Sequence, residues 1–265
     1  MGTLLVMLQP IIEATRHRVE FVVDRASEFE AEARDATPAR DFVGALDGAR
    51  LAVIAEIKRR SPSAGVLSAA LDPAEQAARY QKGGASAISV LTEPEFFDGS
   101  LDDLRAVGQR VDLPVLRKDF VLDPAQIWES RAAGADAVLL IIAAVGEDAA
   151  QLISVAEEAG ITPLVEVHDE AEAEIALGAG AAVIGVNNRD LATFTTDLAV
   201  AERLAPLVAP ARARIAESGI VDEVDAQRMA AAGYDGVLVG EAAVRADDPA
   251  ALIGLLRGSS IRERR

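Results

Sequence analysis

The chain of 265 residues carries a net charge of −17, is 51% hydrophobic and contains no cysteine. Its apolar content fills a large core and excludes a disordered chain, while the excess of acid disfavours nucleic-acid backbones and anionic membranes as partners. The lack of cysteine excludes a disulfide framework, a thiolate zinc site and a cysteine nucleophile, and favours a reducing compartment, the cytoplasm. The two histidines, His17 and His168, are too few for a histidine-rich metal centre.

The hydropathy pattern does not indicate a membrane protein. The longest apolar run, residues 137–145, is far shorter than the roughly 20 residues that a spanning helix needs, and it is typical of a buried strand. The opening MGTLLVMLQPII is apolar but lacks the basic residue and the small-residue cleavage site of a signal peptide. We therefore expect neither a membrane span nor a secretory leader.

Residues 1–47 form a charged segment ahead of a more regular pattern. The stretch EFVVDRASEFEAEARD (20–35) is rich in helix-forming residues. We expect one or two extra helices here, packed over one end of the main fold. Because no long flexible linker separates the two parts, the 1–47 extension and the remainder, 48–265, are predicted to form one structural domain.

An internal repeat organises the rest of the sequence. Four segments join a helix-ending glycine to a β-rich run: GGASAISVL (83–91), AGADAVLLI (133–141), AGAAVIGVN (179–187) and AGYDGVLVG (232–240). Their aligned glycines are 50, 46 and 53 residues apart, and another apolar run lies between each pair of segments. The repeat therefore contains two strand-plus-helix units.

With the opening run LAVIAEI (51–57), the sequence offers eight strand candidates, which begin near residues 51, 86, 113, 137, 162, 182, 213 and 236. Apolar strands separated by amphipathic helices predict an α/β fold, a (β/α)8 TIM barrel with an N-terminal helical extension. The two-unit period suits a barrel, because its interior layers are filled from alternate strands. A doubly wound open sheet is the alternative, but no G-x-G-x-x-G turn follows the first strand.

Charged residues, in one case with an asparagine, end or follow five of the predicted strands, at the barrel end where enzymes of this fold carry their chemistry. They are Glu56 and Lys58 after the first strand, Lys118 after the third, Glu166 after the fifth, Asn187 and Arg189 after the sixth, and Glu217 after the seventh. So many charges on one rim are costly unless they pair with one another or with a ligand. The cluster indicates an anionic substrate and acid–base chemistry, and a lysine near other cations is expected to have a lowered pKa.

Two further features of the rim indicate the kind of ligand. Barrel enzymes commonly bind phosphate in the loops after the last two strands, which here contain Ser218 and Gly219, and Gly240 and Glu241. Phe97 and Phe120 lie beside rim residues in a chain that is only 4% aromatic. Core packing is the default for a phenylalanine, and the alternative is an apolar wall for an aromatic substrate.

With these residues assembled, the sequence resembles the indole-3-glycerol phosphate synthase family. The matching stretches cover most of residues 51–249: IAEIKRRSPSAG (54–65), LTEPEFFDGS (91–100), PVLRKDFVLDPAQIWESRAAGADAVLLI (114–141), LVEVHDEAE (164–172), IGVNNRDLATF (184–194), IAESGI (215–220) and VLVGEAAV (237–244). The resemblance implies a carboxy-lyase of tryptophan biosynthesis that closes 1-(o-carboxyphenylamino)-1-deoxyribulose 5-phosphate into indole-3-glycerol phosphate, with loss of CO2 and water. It implies no metal and no organic cofactor, and a small phosphorylated anilino-sugar as the partner; the oligomeric state stays open.

The resemblance also implies roles for individual residues. Lys118 resembles the general acid of ring closure, Glu166 the acid/base of the dehydration, and Lys58, beside Glu56, the cation that contacts the substrate carboxylate; the division of proton transfers between Lys58 and Glu166 stays open. The remaining implied contacts are Asn187, Arg189 and Glu217 for the ring and hydroxyl groups, Phe97 and Phe120 for the aromatic ring, and Ser61 with the backbone of Ser218, Gly219, Gly240 and Glu241 for the phosphate.

One departure and two competing functions remain. Where many members of the family carry a basic residue after S-P-S, this chain has Ala64, and Arg59 and Arg60 are candidates to compensate. A lysine Schiff-base aldolase with Lys118 as nucleophile would use the same barrel. A catalytically silent, phosphate-binding subunit of a larger complex is the second alternative, and the presence of both Lys118 and Glu166 counts against it.

Overall fold

The structure, a computed structural model, describes residues 5–190 and 193–259. Parts of four sequence predictions therefore lie outside the described residues: the start of the 1–47 extension, the start of the apolar opening, the end of the 48–265 barrel, and residues 191–192 of the IGVNNRDLATF stretch. Among the described helices, none combines the length and hydropathy that a membrane crossing requires.

Eight parallel strands close into a barrel in chain order, with β1 paired to both β2 and β8. The strands are β1 Ala52–Ile57, β2 Ala87–Leu91, β3 Val115–Lys118, β4 Ala137–Ile141, β5 Thr162–Val167, β6 Val183–Asn187, β7 Ala213–Glu217 and β8 Gly236–Val239. Each begins within two residues of its predicted start. The predicted TIM barrel is confirmed, and the doubly wound open sheet is wrong because its two edge strands would not pair.

Helices precede the barrel and connect its strands. Three lie before β1, and the others follow along the chain: α1 Leu5–Val23, α2 Ala26–Asp35, α3 Phe42–Leu46, α4 Pro73–Lys82, α5 Pro94–Phe97, α6 Leu101–Arg110, α7 Pro124–Ala132, α8 Ile142–Val145, α9 Ala149–Glu158, α10 Glu170–Gly178, α11 Ala199–Leu204, α12 Glu223–Ala232, α13 Glu241–Arg245 and α14 Pro249–Arg257. A 3-10 turn, Gly146–Asp148, lies between α8 and α9. The loop after β1 contains a short hairpin, Arg60–Ser61 with Gly65–Val66, that the sequence did not predict.

Helix ends account for the repeat and for part of the acid excess. The aligned glycines of the repeat adopt the left-handed conformation after a helix, as at Gly84 (φ 88°) and Gly134 (φ 92°), which favours glycine over other residues. Aspartates cap the opposite ends, where their side chains accept backbone N–H groups: Asp72, Asp123, Asp169, Asp222 and Asp248.

The barrel interior is layered from alternate strands. The odd-numbered strands contribute one apolar layer, which consists of Ile54, Leu116, Leu164 and Ile215. Two residues further along each of these strands, on the same face, lie Glu56, Lys118, Glu166 and Glu217. We call these four residues the charged layer. Inside the barrel, an apolar layer is therefore followed by a charged layer at the carboxyl end. Both layers come from alternate strands, as the two-unit repeat predicts.

The N-terminal helices join the barrel through buried carboxylates. Asp136 accepts the backbone N–H groups of Arg40 (2.7 Å) and Val115 (2.8 Å), which links the segment before α3 to the start of β3. Arg18 of α1 lies 3.4 Å from Asp119, which follows β3. These contacts attach the extension to the barrel; the division at residues 47 and 48 stays a prediction.

A buried arginine supports β3 from outside the barrel. Arg117 donates to Asp119 (3.1 Å) and to Glu129 of α7 (2.8 Å), and its side chain is almost fully buried. Thr92, which follows β2, donates to the same carboxylate of Asp119 at 2.7 Å. The strand that carries Lys118 is therefore fixed on its outer face by paired charges rather than by apolar contacts alone.

Candidate active site

A cavity of about 600 Å³ opens at the carboxyl end of the barrel. With one exception, every site residue predicted from the sequence lines it: Glu56, Lys58, Ser61, Phe97, Lys118, Phe120, Glu166, Asn187, Arg189, Ser218, Gly219, Gly240 and Glu241. The exception is Glu217, which is almost fully buried against Lys118. The side chains of Lys58, Lys118, Glu166 and Arg189, far apart in the chain, thus face one shared space.

Ion pairs organise the charges on the cavity floor. Lys118 Nζ donates to Glu166 Oε2 at 3.0 Å and also to Glu217 Oε2, so one ammonium lies between two carboxylates. Lys58 Nζ lies 2.7 Å from Glu56 Oε1 and forms a second pair. The pairing of charges expected from the sequence is therefore present, and it uses residues of β1, β3, β5 and β7.

The position of Lys118 corrects the expectation that neighbouring cations lower its pKa. Burial alone would lower the pKa of this ammonium, but Glu166 and Glu217 outweigh burial and hold the pKa well above the ordinary value for a lysine. The expectation was wrong because strand order does not reveal which side chains meet inside the barrel. Lys118 therefore faces the cavity as an ammonium.

The two glutamates around Lys118 have pKa values displaced in opposite directions. Burial would raise the pKa of Glu166, but Lys118 and His168 outweigh it and hold the pKa well below the usual range. Burial raises the pKa of Glu217 to about 7; Lys118 opposes this rise and the charge of Glu166 adds to it. One carboxyl group is thus held ionised, while the other accepts a proton near neutral pH.

Polar side chains from β6 complete the floor. Asn187 donates from Nδ2 to Glu166 Oε1 at 3.0 Å, and its Oδ1 accepts the backbone N–H of Arg189, also at 3.0 Å. The Arg189 guanidinium donates to the backbone oxygen of Phe194 at 3.3 Å. This arrangement places an amide against the ionised carboxylate and a guanidinium on the cavity wall.

Two glycines, one on β6 and one directly after β8, make room for the carboxylates of the charged layer. A Cβ at Gly185 of β6 would overlap Glu217 Oε1 and lie 3.1 Å from its carboxyl carbon. A Cβ at Gly240 would overlap Glu56 Oε1 and lie 3.0 Å from Lys58 Nζ. Gly240 is therefore required by the layer beneath it, in addition to its predicted place in the phosphate loop.

The two loops predicted to bind phosphate both reach the cavity, but only one leads directly into a helix. Helix α13 begins at Glu241, directly after Gly240. Helix α12 begins only at Glu223, and the side chain of Asp222 caps it. Ser218 has a left-handed backbone (φ 63°), and its carbonyl accepts from Asn188 at 3.1 Å. In the loop after β7, the residues that line the cavity therefore form a turn and not the amino end of a helix.

The two predicted phenylalanines form one wall together with residues that the sequence analysis missed. The rings of Phe97 and Phe120 are 6.4 Å apart between centroids, inclined at 37°. Leu8 and Ile11 of α1 line the same cavity and pack in the interior cluster that contains Phe120. The sequence shows that this segment is apolar, but it does not show which end of the barrel the segment covers.

Other residues near the site were missed or behave differently from the expectation. Asp119 also lines the cavity, and its position inside the KDF motif was the available signal. His168 packs behind Glu166, two residues along the chain, where alternation already placed it near the rim. Arg59, a candidate to compensate for Ala64, instead binds Asp103 of α6 through two contacts of 2.6 and 2.9 Å. Neither Arg59 nor Arg60 belongs to the cavity lining.

In the part of the chain that the structure describes, no group of three or more His, Asp or Glu side chains is arranged to bind a metal ion. The carboxylates of the charged layer are instead engaged with lysines. The polar groups that face the cavity include ammonium, carboxyl, amide and guanidinium groups.

Comparison with known proteins gives a consistent assignment. The family model for indole-3-glycerol phosphate synthase matches residues 8–256. The indole-3-glycerol phosphate synthase of Streptomyces griseus is 48% identical over 250 residues, covering 93% of both chains. That of Mycobacterium avium is 52% identical over 228 residues, covering 86% of this chain and 84% of its own.

A solved structure shares the fold at low sequence identity. A thiamine phosphate pyrophosphorylase from Pyrococcus furiosus superimposes with a TM-score of 0.59 at 18% identity, covering 82% of this chain and 96% of its own. This likeness concerns the barrel alone. On the family match and on relatives that are about half identical over most of their length, the chain belongs to the indole-3-glycerol phosphate synthase family.

Proposed function

We propose that this chain uses its charged layer to catalyse the reaction of its family, in which 1-(o-carboxyphenylamino)-1-deoxyribulose 5-phosphate closes to indole-3-glycerol phosphate with loss of CO2 and water. The observation that carries the proposal is the contact of Lys118 with both Glu166 and Glu217 on the floor of a cavity with an apolar wall. One ammonium between two carboxyl groups supplies the donors and acceptors that a condensation followed by a dehydration requires.

Lys118 is proposed to act in ring closure. A carbonyl oxygen that accepts a hydrogen bond from its ammonium makes the carbonyl carbon more electrophilic, and the same cation stabilises the negative charge that develops on oxygen. The raised pKa of Lys118 is compatible with this role. An alkoxide is a stronger base than an amine, so it takes the proton as it forms.

The glutamates are proposed to share the dehydration. Loss of water needs a proton donor at the departing hydroxyl group and a base for the proton whose removal completes the indole ring. Glu166, whose pKa is lowered, suits the base. Glu217, with its pKa raised to about 7, holds a proton part of the time near neutral pH and suits the donor. This adds a proton transfer to the hydroxyl contact that the resemblance implies for Glu217.

The remaining cavity residues are proposed to seat the substrate, a small phosphorylated anilino-sugar. The aromatic ring packs against Phe97 and Phe120, and its carboxylate approaches Lys58, which is paired with Glu56 and so does not hold the ground state too tightly. The phosphate is assigned to a group of residues that all line the cavity: Ser61, Ser218, Gly219, Gly240 and Glu241. A cysteine-free enzyme of this kind suits the cytoplasm.

The Schiff-base alternative asks for different chemistry at Lys118. A lysine nucleophile must lose its proton, and the two adjacent glutamates oppose this by raising its pKa. Borohydride trapping with a keto-sugar phosphate tests this alternative directly. The sequence contains only Lys58, Lys82 and Lys118, so peptide mapping identifies any trapped adduct without ambiguity.

Activity with the anilino-ribulose phosphate is the decisive experiment. We expect indole absorbance and fluorescence to rise with the wild-type protein, and Lys118→Met to reduce kcat by at least about 10²-fold, because it removes the proton donor. Lys82→Met at the exposed end of α4 is the matched control and is expected to leave kcat unchanged. A folded wild-type sample that forms no indole contradicts the proposal and favours the catalytically silent subunit.

A further inference from the structure

One buried group near the site has no role in the reaction as described above. His168 follows β5 directly, two residues after Glu166, and its side chain is only 9% exposed. It does not line the cavity, because it lies behind Glu166 on the side of α10. A polar ring buried this completely is costly unless both of its nitrogen atoms have partners.

Both ring nitrogens of His168 face carboxylate oxygens. Nδ1 lies 2.9 Å from Glu172 Oε2 in hydrogen-bond geometry, whereas Nε2 lies 3.2 Å from Glu166 Oε1, at an ion-pair distance but outside hydrogen-bond geometry. Ionised carboxylates are acceptors only, whereas a neutral imidazole has one N–H donor and one lone pair. A neutral ring would place a lone pair against one of the two carboxylates, while an imidazolium donates an N–H to Glu172 and places positive charge 3.2 Å from Glu166. The two carboxylates therefore favour the doubly protonated ring.

The ring is held from a rigid element. Glu172 lies in the first turn of α10, where its backbone N–H donates to the cap residue Asp169 at 2.9 Å. The carboxylate of Glu172 accepts from His168 twice, from Nδ1 and from the backbone N–H at 2.8 Å. The ring position is thus set by the start of a capped helix rather than by a loose loop.

The charged groups around the His168 ring also favour the imidazolium form. Glu166 faces it from β5 and Glu172 from α10, while Lys118 of β3 lies on the far oxygen of Glu166. Burial would lower the pKa of His168, but the two glutamates outweigh burial and raise it to about 10. The carboxylate of Glu166 is therefore held between two cations, Lys118 on the cavity side and His168 behind it.

We propose that His168, as an imidazolium between Glu166 and Glu172, is a positioning residue that fixes the Glu166 carboxylate at the cavity floor and keeps it ionised. Asn187 shares Oε1 of Glu166 with the ring but carries no charge. The imidazolium occupies no substrate space, since it approaches from outside the cavity. Its catalytic effect rests on the role proposed above for Glu166 as a base; its protonation state does not.

The protonation state is measured on the wild-type protein without any activity assay. The chain has two histidines, so ¹⁵N imidazole spectra contain signals from two rings, and the variant His17→Gln, at an exposed position of α1, assigns them. We expect both nitrogens of His168 to stay protonated from pH 6 to pH 8. A single protonated nitrogen at pH 7 overturns the proposal, whatever the enzyme does with its substrate.

The positioning role is measured by kinetics. His168→Gln is expected to lower kcat about tenfold or more with less than a threefold change in KM, and to move the acidic limb of the kcat/KM profile to higher pH, because Glu166 loses a cation. Glu172→Gln is expected to change kcat and the pH profile in the same direction with a smaller effect. It provides the test of the positioning role if His168→Gln does not fold. Glu174→Gln, exposed on the same helix, is the matched control with no expected effect.

These outcomes separate the two proposals. A purely structural role would reduce the amount of folded enzyme without moving the acidic limb of the folded fraction. Wild-type pH profiles for both His168→Gln and Glu172→Gln would overturn the positioning role and leave the proposed function intact. Failure of the wild-type chain to form indole would instead contradict the proposed function, while the ring spectra would still report on His168.

Discussion

The absence of a side chain at residue 185 makes room for Glu217, and adding one methyl group there tests the charged layer. In Gly185→Ala the new Cβ would overlap Glu217 Oε1 and lie 3.1 Å from the carboxyl carbon, with Leu164 3.4 Å away on the other side. Ordinary van der Waals contact requires the carboxylate to move by about 1 Å, and the interior is too densely packed to absorb this shift elsewhere. The contact between Glu217 and Lys118 is therefore expected to break or rotate.

Two effects of Gly185→Ala oppose each other in stability. Alanine in a strand interior gains about 0.5–1 kcal/mol over glycine, while overpacking a filled core costs about 1–3 kcal/mol. Because Glu217 is almost fully buried, we expect overpacking to win, with a net loss of about 1–2 kcal/mol. Because the charged layer is proposed to carry the reaction, a displacement of about 1 Å within it is expected to reduce kcat by about 10²-fold.

The assay combines urea unfolding with indole fluorescence, and the chain offers a matched control. Gly108→Ala lies inside α6 with open space around its Cβ, so it should gain about 0.5–1 kcal/mol and keep full activity. Shortening the carboxylate makes the test more specific: Glu217→Asp should recover stability in the Gly185→Ala background. A Gly185→Ala enzyme with wild-type kcat and stability refutes the reasoning, because the layer would then tolerate an atom that the geometry excludes.

Three further predictions concern buried charges. Glu217 has a pKa of about 7 in the folded protein against an ordinary 4.5, so its protonated form contributes stability that is fully present below pH 4.5 and is lost as the pH rises through 7. Between pH 5 and pH 8, the free energy of unfolding of the wild type, measured in urea, should therefore fall by about 2–3 kcal/mol more than that of Glu217→Gln. Parallel pH curves for the two proteins would contradict this. Arg117→Met removes a buried guanidinium from Asp119 and Glu129, which leaves Asp119 with the partly exposed Arg18 as its remaining cation, and should cost about 3–5 kcal/mol. Arg105→Met in an exposed pair should cost under about 1 kcal/mol; urea unfolding measures both. Asp136→Asn replaces one of two accepting oxygens by a donor and should cost about 1–3 kcal/mol; equal midpoints for variant and wild type would show that the two backbone N–H groups find other acceptors.

The strands and the rim of the site could be predicted because they depend on local alternation and on one topological rule. Residues two apart on a strand share a face, so Glu56 and Lys58 could be assigned to the same side. The carboxyl ends of parallel barrel strands lie on one rim, which brought Lys118 and Glu166 together in the prediction. Neither inference needs knowledge of which strands are neighbours.

What escaped prediction depends on distances across the barrel. The pKa of Lys118 is set by Glu166 and Glu217, and no sequence spacing shows that these two side chains reach it ahead of the other cations of the rim. The wall formed by Leu8 and Ile11 depends on which opening α1 covers, and an amphipathic pattern does not encode this. Arg59 was open to a role at the cavity until the position of α6 placed Asp103 beside it.

The role proposed for the charged layer has a consequence for when the enzyme becomes active during synthesis of the chain. Lys118 and Glu217 are separated by 99 residues, so a ribosome that has released only β1 to β5 has produced the ammonium without one of its two counterions. The full set of countercharges comes together only when β7 joins the ring, a step that depends on contacts between distant parts of the chain and is therefore slow. The rate at which enzymatic activity returns during refolding should consequently report on the last stage of barrel assembly rather than on the formation of individual helices.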